Sequence, residues 1–241
     1  MREQLREATD GAILFDAAAS PQVDADWFAP DHWRGQGALR AQAGGRGGVA
    51  VIDTPAGECV LRHYRRGGMV ARLMGDRYLW RGAARTRPFA EFRLLAGIAR
   101  RGLPGPPPVA ARYVRHGAFY AADLITRRIA DARTLAECLA AGTLDAAVAE
   151  ATGALVARFH RAGVWHADLN AHNVLVAPSG LHLIDFDRGR FRAPAEGWRQ
   201  GNLRRLRRSL LKLGAAAQGE AAFESSIWAP LQRGYERAWQ A

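Results

Sequence analysis

Lysine is almost missing from this chain: Lys212 is the only one in 241 residues, and arginine supplies the other 33 of the 34 basic side chains. Cysteine is nearly as scarce. Cys59 and Cys138 stand apart without CxxC spacing, and both read as small buried hydrophobes rather than as a disulfide, a metal site or a nucleophile. No run of about eighteen uninterrupted apolar residues occurs, so no transmembrane helix is expected. The opening Met1-Arg2-Glu3-Gln4-Leu5-Arg6-Glu7 carries acids and no apolar core, which argues against a signal peptide and makes a cytoplasmic setting the default. Internal repeats and low-complexity linkers are absent too. His160, His166 and His172 recur at intervals of six, a spacing that no common zinc arrangement uses.

What is present suits a soluble globular protein of one large domain or two small lobes, with 49% hydrophobic and 24% charged residues. The formal charge of +11, from 34 basic against 23 acidic residues, favours a polyanionic partner: nucleic acid, anionic lipid headgroups or a phosphorylated substrate. A composition bias toward arginine is the plainer reading. Arginine in place of lysine does alter the available chemistry, because its planar fork matches phosphate and carboxylate and stays charged when buried.

The richest stretch is Val164-Trp165-His166-Ala167-Asp168-Leu169-Asn170-Ala171-His172-Asn173, followed by the apolar Val174-Leu175-Val176 and by Leu183-Ile184-Asp185-Phe186-Asp187. Val174–Val176 and Leu181–Ile184 read as two short strands, so that Asp168, Asn173 and Asp185 sit on the loops and ends of one hairpin. Phosphoryl transfer needs such a set: an acceptor for the substrate's hydroxyl proton and two oxygen ligands for Mg²⁺, which recur in the kinase order H-R-D-L-x-x-x-N and then D-F-G. Asp168 is the expected proton acceptor, Asn173 and Asp185 the expected metal ligands. Taken singly, each is an ordinary loop residue; the joint spacing is what points to a kinase-type site. Asp187 stands where kinases carry glycine, as an extra ligand or a turn cap.

Upstream, residues 1–35 read as an arm with a short helix and one strand, Ala12–Phe15, packed down by Trp27, Phe28 and Trp33. The glycine-rich Ala43-Gly44-Gly45-Arg46-Gly47-Gly48 precedes a strand at Val49–Ile52 and another at Glu58–Tyr64. Gly44, Gly45, Gly47 and Gly48 thus fall where a kinase covers nucleotide phosphates with backbone N–H groups. Arg62 occupies the strand position at which a kinase places its phosphate-binding lysine. Residues 65–84 mix basic with Met, Leu, Tyr and Trp side chains, a surface element for membrane or lipid or an insertion packed on the small lobe. A helix runs from Thr86 through Arg101 with Phe89, Phe92, Leu95 and Ile98 on one face; Glu91 at its edge is either a surface glutamate or, as in a kinase fold, the partner of the strand cation, here Arg62. Gly102-Leu103-Pro104-Gly105-Pro106 ends it. Two strands, Val109–His116 and Phe119–Ile125, lead to a hinge near Thr126–Ile129 against which an adenine ring can lie. Helices follow at about 133–141 and 145–162, with Asp145 as N-cap and Val148, Leu155, Val156 and Phe159 buried. His160 reads as structural and His166 as a loop organiser. Arg188-Gly189-Arg190-Phe191-Arg192 forms a basic strip. Trp198–Leu213 reads as a helix with Leu203, Leu206, Leu210 and Leu213 on one face and Arg204, Arg205, Arg207, Arg208 and Lys212 opposite, a solvated face or one that attracts an anionic membrane.

No A-P-E segment follows, and about fifty residues remain, little room for a peptide-binding platform; small-molecule or lipid-linked hydroxyls are favoured as acceptors. The segments Leu61–Gly68, Phe89-Ala90-Glu91-Phe92, Gly102-Leu103-Pro104, His166–Asn173 and Leu183–Asp187 resemble the 3-deoxy-D-manno-octulosonic acid (Kdo) kinases, grouped with the heptose kinases of bacterial lipopolysaccharide synthesis. The resemblance spans about residues 30–213. It implies an α+β, protein-kinase-like fold with a small β-rich N-lobe (about 1–128) and a shortened helical C-lobe (about 129–241). It further implies ATP and Mg²⁺ as cofactors and phosphorylation of the Kdo 4-hydroxyl on a Kdo–lipid A precursor, with Asp168 as the active-site aspartate. The location implied is peripheral, on an anionic membrane surface at the cytoplasmic face of the bacterial inner membrane, with no nucleic-acid partner. Two alternatives stay open: a related sugar or aminoglycoside-type phosphotransferase, and a catalytically inactive kinase-like protein that binds polyanions, motivated by the charge and the missing lysine.

Overall fold

The computed structural model describes residues 1–43, 48–65 and 76–241, and these group into two compact units, Met1–Ala96 with Pro106–Arg128 and Gly97–Gly105 with Ile129–Ala241. The first unit is built on one antiparallel sheet. Its strands are β1 (Glu3–Ala8), β2 (Gly11–Asp16), β3 (Leu39–Ala43), β4 (Val49–Thr54), β5 (Gly57–His63), β6 (Tyr78–Leu79), β7 (Pro108–His116) and β8 (Phe119–Arg127). They pair in the order β1-β2-β7-β8-β5-β4-β3, with β6 added on β8. A short helix α1 (Pro30–Gly35) and a longer one, α2 (Arg87–Arg100), complete the described elements apart from brief 3₁₀ turns.

Side chains on a strand alternate between faces, and β5 uses the alternation to separate two jobs. Cys59 and Leu61 point into a core shared with Ile13, Phe15, Ala50, Ile52 and Ile125, sealed by Trp27, Phe28 and Trp33. Trp33 donates its indole N–H to the Trp27 carbonyl at 2.8 Å and meets the Trp27 ring edge to face. Arg62 points to the opposite face, toward α2. Helix α2 buries Phe89, Phe92 and Leu95 in the expected period, and the Phe89 ring stands edge-on to Tyr113 at 5.2 Å. The Tyr120 hydroxyl accepts the Arg87 N–H at the first turn of α2, where backbone donors lack intrahelical partners.

Three strands of this unit were not anticipated, β1, β3 and the two-residue β6. The arm holds a hairpin, β1 with β2, rather than a single strand, and all six residues of β1 are exposed. Backbone pairing with β2 and polar contacts hold that edge, Glu3 to Arg93 and Arg6 to the Val23 carbonyl, so no apolar alternation announces it. β3 pairs with β4, so the glycine-rich stretch connects the two strands of a hairpin.

The second unit contains β9 (Arg133–Thr134), α3 (Leu135–Ala140), α4 (Ala146–Arg161), β10 (Val164–Trp165), β11 (Val174–Ala177), β12 (Gly180–Leu183), β13 (Arg190–Phe191), α5 (Glu196–Lys212), α6 (Glu220–Phe223) and α7 (Ala229–Gln240), the last two joined by a π turn at Glu224–Trp228. β12, β11 and β9 form a small sheet, and β10 pairs with β13. α3 starts later than its periodicity suggested because Thr134 and Glu137 form a reciprocal capping box that sets the first turn at Leu135. Asp145 caps α4, its carboxylate accepting the Val148 N–H at 2.8 Å. Leu155, Val156 and Phe159 are buried, whereas Val148 is only half-buried and Ala149 takes the buried place. α4 lies along α7 at small-residue contacts: a Cβ on Gly153 would collide with the Leu231 carbonyl, and one on Gly234 with the Glu150 carbonyl. On α5, Leu203, Leu206 and Leu210 are buried, but Leu213 follows the last helical turn and is 41% exposed, so the apolar stripe ends one turn earlier than expected.

Candidate active site

In the second unit the loop between β10 and β11 carries Asp168 and Asn173, and its shape comes from side chain to backbone bonds within six residues. The Asn173 amide donates to the Asp168 carbonyl at 2.9 Å, while the Asn170 amide donates to the same carbonyl at 3.0 Å and to the Asp168 carboxylate at 3.1 Å. Asn170 then accepts the His172 N–H at 2.9 Å. Asparagine suits such turns because its side chain mimics the peptide group. With its amide committed to Asp168, Asn173 presents its oxygen, which has no hydrogen-bond partner among the described residues. The Asn173 carbonyl accepts the Ile184 N–H at 3.0 Å, so the β11–β12 hairpin places the residue before Asp185 directly against Asn173. Asp185 leaves the strand with φ +59°, a left-handed turn that aspartate tolerates better than most side-chain-bearing residues. Phe186 anchors this turn, fully buried, stacked on Phe159 and tilted against His166.

His166 is the organiser the spacing suggested. It is buried, and its Nδ1 accepts the Asp168 N–H at 3.1 Å, so the proton sits on Nε2, which donates to the Ile184 carbonyl at 2.9 Å. Burial pushes its pKa down, which keeps this neutral tautomer in place. One ring therefore ties the Asp168 loop to the Asp185 turn.

A second layer was not visible in the chain. Asn202 of α5, 3% exposed, donates to the His166 carbonyl at 2.8 Å. Its oxygen faces His160 Nε2 at 3.3 Å, and His160 Nδ1 meets the Tyr235 hydroxyl at 2.9 Å. Arg199 donates to that same hydroxyl at 3.1 Å. The order of donors is thus set from end to end: Arg199 to Tyr235, Tyr235 to His160, His160 to Asn202, Asn202 to the Asp168 loop. Burial drives the His160 pKa down to about 4, so the ring is neutral and each nitrogen keeps its role. The one clue in the sequence was a lone asparagine directly beside the apolar positions Leu203, Leu206 and Leu210 of a helix.

Asp168 itself is half-exposed, and Arg205 of α5 donates to its carboxylate at 2.9 Å. Ser209 accepts the Ala171 N–H at 3.1 Å, pinning the loop to α5 one turn further along. A cleft of about 350 Å³ opens there.

In the first unit Arg62 and Glu91 do meet, at 2.6 Å, with Glu91 only 3% exposed. Tyr64 is a third member that had not been singled out: its hydroxyl donates to Glu91 and accepts from Arg62 at 3.2 Å, and Arg62 lies over its ring. Burial and the neighbouring Glu91 carboxylate raise the Tyr64 pKa well above its ordinary value, so it remains a donor. Gly48 leads directly into β4, whereas Gly44, Gly45 and Gly47, and half of the surface element expected at 65–84, lie outside the described residues.

The opposite face of β5 holds a different group. His63 meets Asp123 at 2.7 Å, and Arg112 reaches the other carboxylate oxygen through two donors at 2.8 and 3.0 Å. These residues border a cavity of about 680 Å³ with Phe28, Asp31 and Arg34. Strand alternation places this larger cavity on the sheet face away from Arg62, so it is not the Arg62–Glu91 site.

The sequence model of the lipopolysaccharide kinase (Kdo/WaaP) family matches residues 30–235. A 3-deoxy-D-manno-octulosonic acid kinase of Xanthomonas axonopodis pv. citri (strain 306) is 53% identical over 231 residues, covering 95% of this chain and 91% of the relative. Another, of Stenotrophomonas maltophilia (strain R551-3), is 51% identical over 233 residues with the same coverage. Among solved structures, WaaP in complex with acyl carrier protein superposes with a TM-score of 0.56 at 20% identity, over 98% of this chain and 89% of that one, a likeness that speaks for the fold. The fold is α+β and kinase-like, a β-rich unit carrying the paired strand cation and helix glutamate and a helical unit carrying the aspartate loop. On these grounds the chain is a kinase that belongs to the lipopolysaccharide kinase (Kdo/WaaP) family.

Proposed function

We propose that this kinase transfers the γ-phosphoryl group of ATP to the 4-hydroxyl of 3-deoxy-D-manno-octulosonic acid on a Kdo–lipid A precursor (Kdo–lipid IVA), in lipopolysaccharide core synthesis. The observation that carries the reading is the loop in which the Asn173 amide holds the Asp168 backbone while both the Asp168 carboxylate and the Asn173 oxygen are presented. The relatives named for this acid, at half identity over nearly the whole chain, supply the acceptor class.

The residues divide the work by their chemistry. The acceptor hydroxyl oxygen forms a bond to the γ-phosphorus as the bond to the β–γ bridging oxygen breaks, and ADP departs; the hydroxyl proton passes to the Asp168 carboxylate. Positioning and charge stabilisation carry most of such a reaction. The Asn173 oxygen and the Asp185 carboxylate are a hard oxygen donor pair that fits Mg²⁺ and would hold it. When bound, Mg²⁺ supplies neutralisation of the phosphate charge. Arg62, braced by Glu91 and Tyr64, offers a two-pronged donor to phosphate oxygens in the role usually filled by lysine. The glycine-rich connection between β3 and β4 is assigned the remaining phosphate contacts.

No helix among the described residues is long and apolar enough to cross a membrane. The charge of +11 and the exposed Arg204, Arg205, Arg208 and Lys212 of α5 support peripheral attraction to an anionic bilayer, at the cytoplasmic face of the inner membrane.

The test is transfer from radiolabelled ATP to the Kdo–lipid A precursor and to free sugars, with the position of the new phosphate determined. Label on the 4-hydroxyl of the lipid-linked sugar is expected, and Asp168→Asn should lower transfer at least a thousandfold with an unchanged circular dichroism spectrum. A preference for free sugars or aminoglycosides, or wild-type turnover by Asp168→Asn, would overturn the assignment.

A further inference from the structure

The cleft beside Asp168 has an electrostatic character that phosphate donation does not require. Asp168, Asn170 and His172 form one wall, and Arg205, Arg208 and Lys212 of α5 form the other. These three cations stand at positions i, i+3 and i+7, the face of the helix opposite Leu203, Leu206 and Leu210, and they span about 10 Å at 1.5 Å per residue. Arg205 is engaged with the Asp168 carboxylate. Neither Arg208 nor Lys212 has an ion-pair partner among the described residues, and both are exposed to the cleft side of the helix. The nearby acids Glu220 and Glu224 are taken by Arg207, which turns the other way. A chain that uses arginine at 33 of 34 basic positions has its single lysine here.

Adjacent like charges repel, and holding them along one groove is favourable when an anion fills it. We propose that Arg208 and Lys212 form an anion subsite that holds the acceptor by an oxyanion, the carboxylate of the sugar acid, and so sets its hydroxyl against Asp168. The inference rests on the kinase reading above and adds to it the residues that choose the acceptor. Reach favours the carboxylate. It is borne on the same sugar unit as the reacting hydroxyl, and Arg208 lies one turn from Arg205, a step of about 5–6 Å between neighbouring helix positions, close to the width of a sugar ring. A phosphate of the lipid portion has the same chemistry and could fill the same groove, so the experiment separates the two. Arg208 suits bidentate contact with a planar carboxylate, while Lys212 adds a mobile point charge at the far end. The floor is fixed, because Ser209 ties the loop to α5 between these two residues. A volume of about 350 Å³ matches the lower end of small-ligand sites.

The test uses full-length protein and the variants Arg208→Gln, Lys212→Gln and their double. Initial rates are measured on the lipid-linked acceptor, on its sugar carboxyl methyl ester, and on the acceptor stripped of its lipid phosphates. Each single variant should raise KM for the acid acceptor about tenfold, with kcat and KM for ATP within twofold. Esterification should cost wild type a similar factor and cost the double variant nothing. An unchanged acceptor KM, or a double variant that still separates acid from ester, overturns the subsite. A double variant indifferent to the lipid phosphates but still sensitive to the ester assigns the groove to phosphate and overturns the carboxylate. Calorimetric binding of the free sugar acid and its methyl ester, without ATP, tests the same site with no turnover. Binding of the acid that is lost in the double variant, with no phosphoryl transfer by wild type, would refute the reaction and keep the subsite; transfer with unaltered binding would do the reverse.

Discussion

His160 offers a sharp test of the relay that supports the Asp168 loop. The ring is 1% exposed, and burial lowers its pKa from the ordinary 6.5 to about 4. A histidine depressed in the folded state contributes nothing above pH 7, where both states are neutral. As pH falls through 6.5 the unfolded chain takes up a proton that the folded chain refuses, so stability is lost until the folded ring protonates near pH 4. A gap of about 2.5 pKa units at about 1.36 kcal/mol each sets the full loss at about 3 kcal/mol. Between pH 7 and pH 5 the linkage relation gives about 2 kcal/mol. His160→Gln removes the titration and keeps an amide able to donate and accept. Urea unfolding of wild type and His160→Gln at pH 7 and pH 5 measures the difference, with hydrogen exchange of α4 amides reporting the unit that holds the ring. Wild type should lose about 2 kcal/mol more than the variant over this interval. His166, also buried and shifted down, contributes to both proteins and cancels. Parallel losses would mean that His160 does not stay neutral, and the donor order from Tyr235 to Asn202 would then be wrong.

Two further outcomes follow from other contacts. Arg62→Ala should raise KM for ATP at least tenfold in steady-state assays and lower the melting temperature, since it takes away the guanidinium that meets the buried Glu91; unchanged ATP kinetics would leave Arg62 a purely structural partner of Glu91 and Tyr64. Gly153→Ala and Gly234→Ala should each destabilise the protein by about 2 kcal/mol or more in thermal melts, because the added methyl meets a carbonyl of the facing helix; a neutral effect would show that α4 and α7 are not in such close contact.

Much of this was legible because it is local. The Asp168–Asn173 loop is held by bonds between residues two to five apart, so its chemistry and its spacing are written in one short stretch. The β11–β12 hairpin, the Asp145 cap and the buried face of α2 likewise depend on neighbours at fixed periods, 2.0 in strands and about 3.6 in helices. Arg62 and Glu91, 29 residues apart, were paired through family resemblance rather than through any periodicity. The edge strand β1 stayed hidden because its side chains are exposed and its order comes from backbone bonds to β2 and from polar contacts.

The sequence by itself determined which groups were available: an aspartate loop with its asparagine, a strand arginine without a lysine, and a basic face on one late helix. Tertiary structure alone decided what those groups serve. Asn202, His160 and Tyr235 lie 36 to 75 residues from their partners, and nothing in their immediate neighbours specifies that they meet. Packing of α4, α5 and α7 brings them into one buried chain of donors, where low dielectric strengthens each bond and keeps both histidines neutral. The same packing sets α5 beside Asp168, and so turns a helix face that reads as solvent-exposed into the wall of the cleft where the reaction is proposed to take its acceptor.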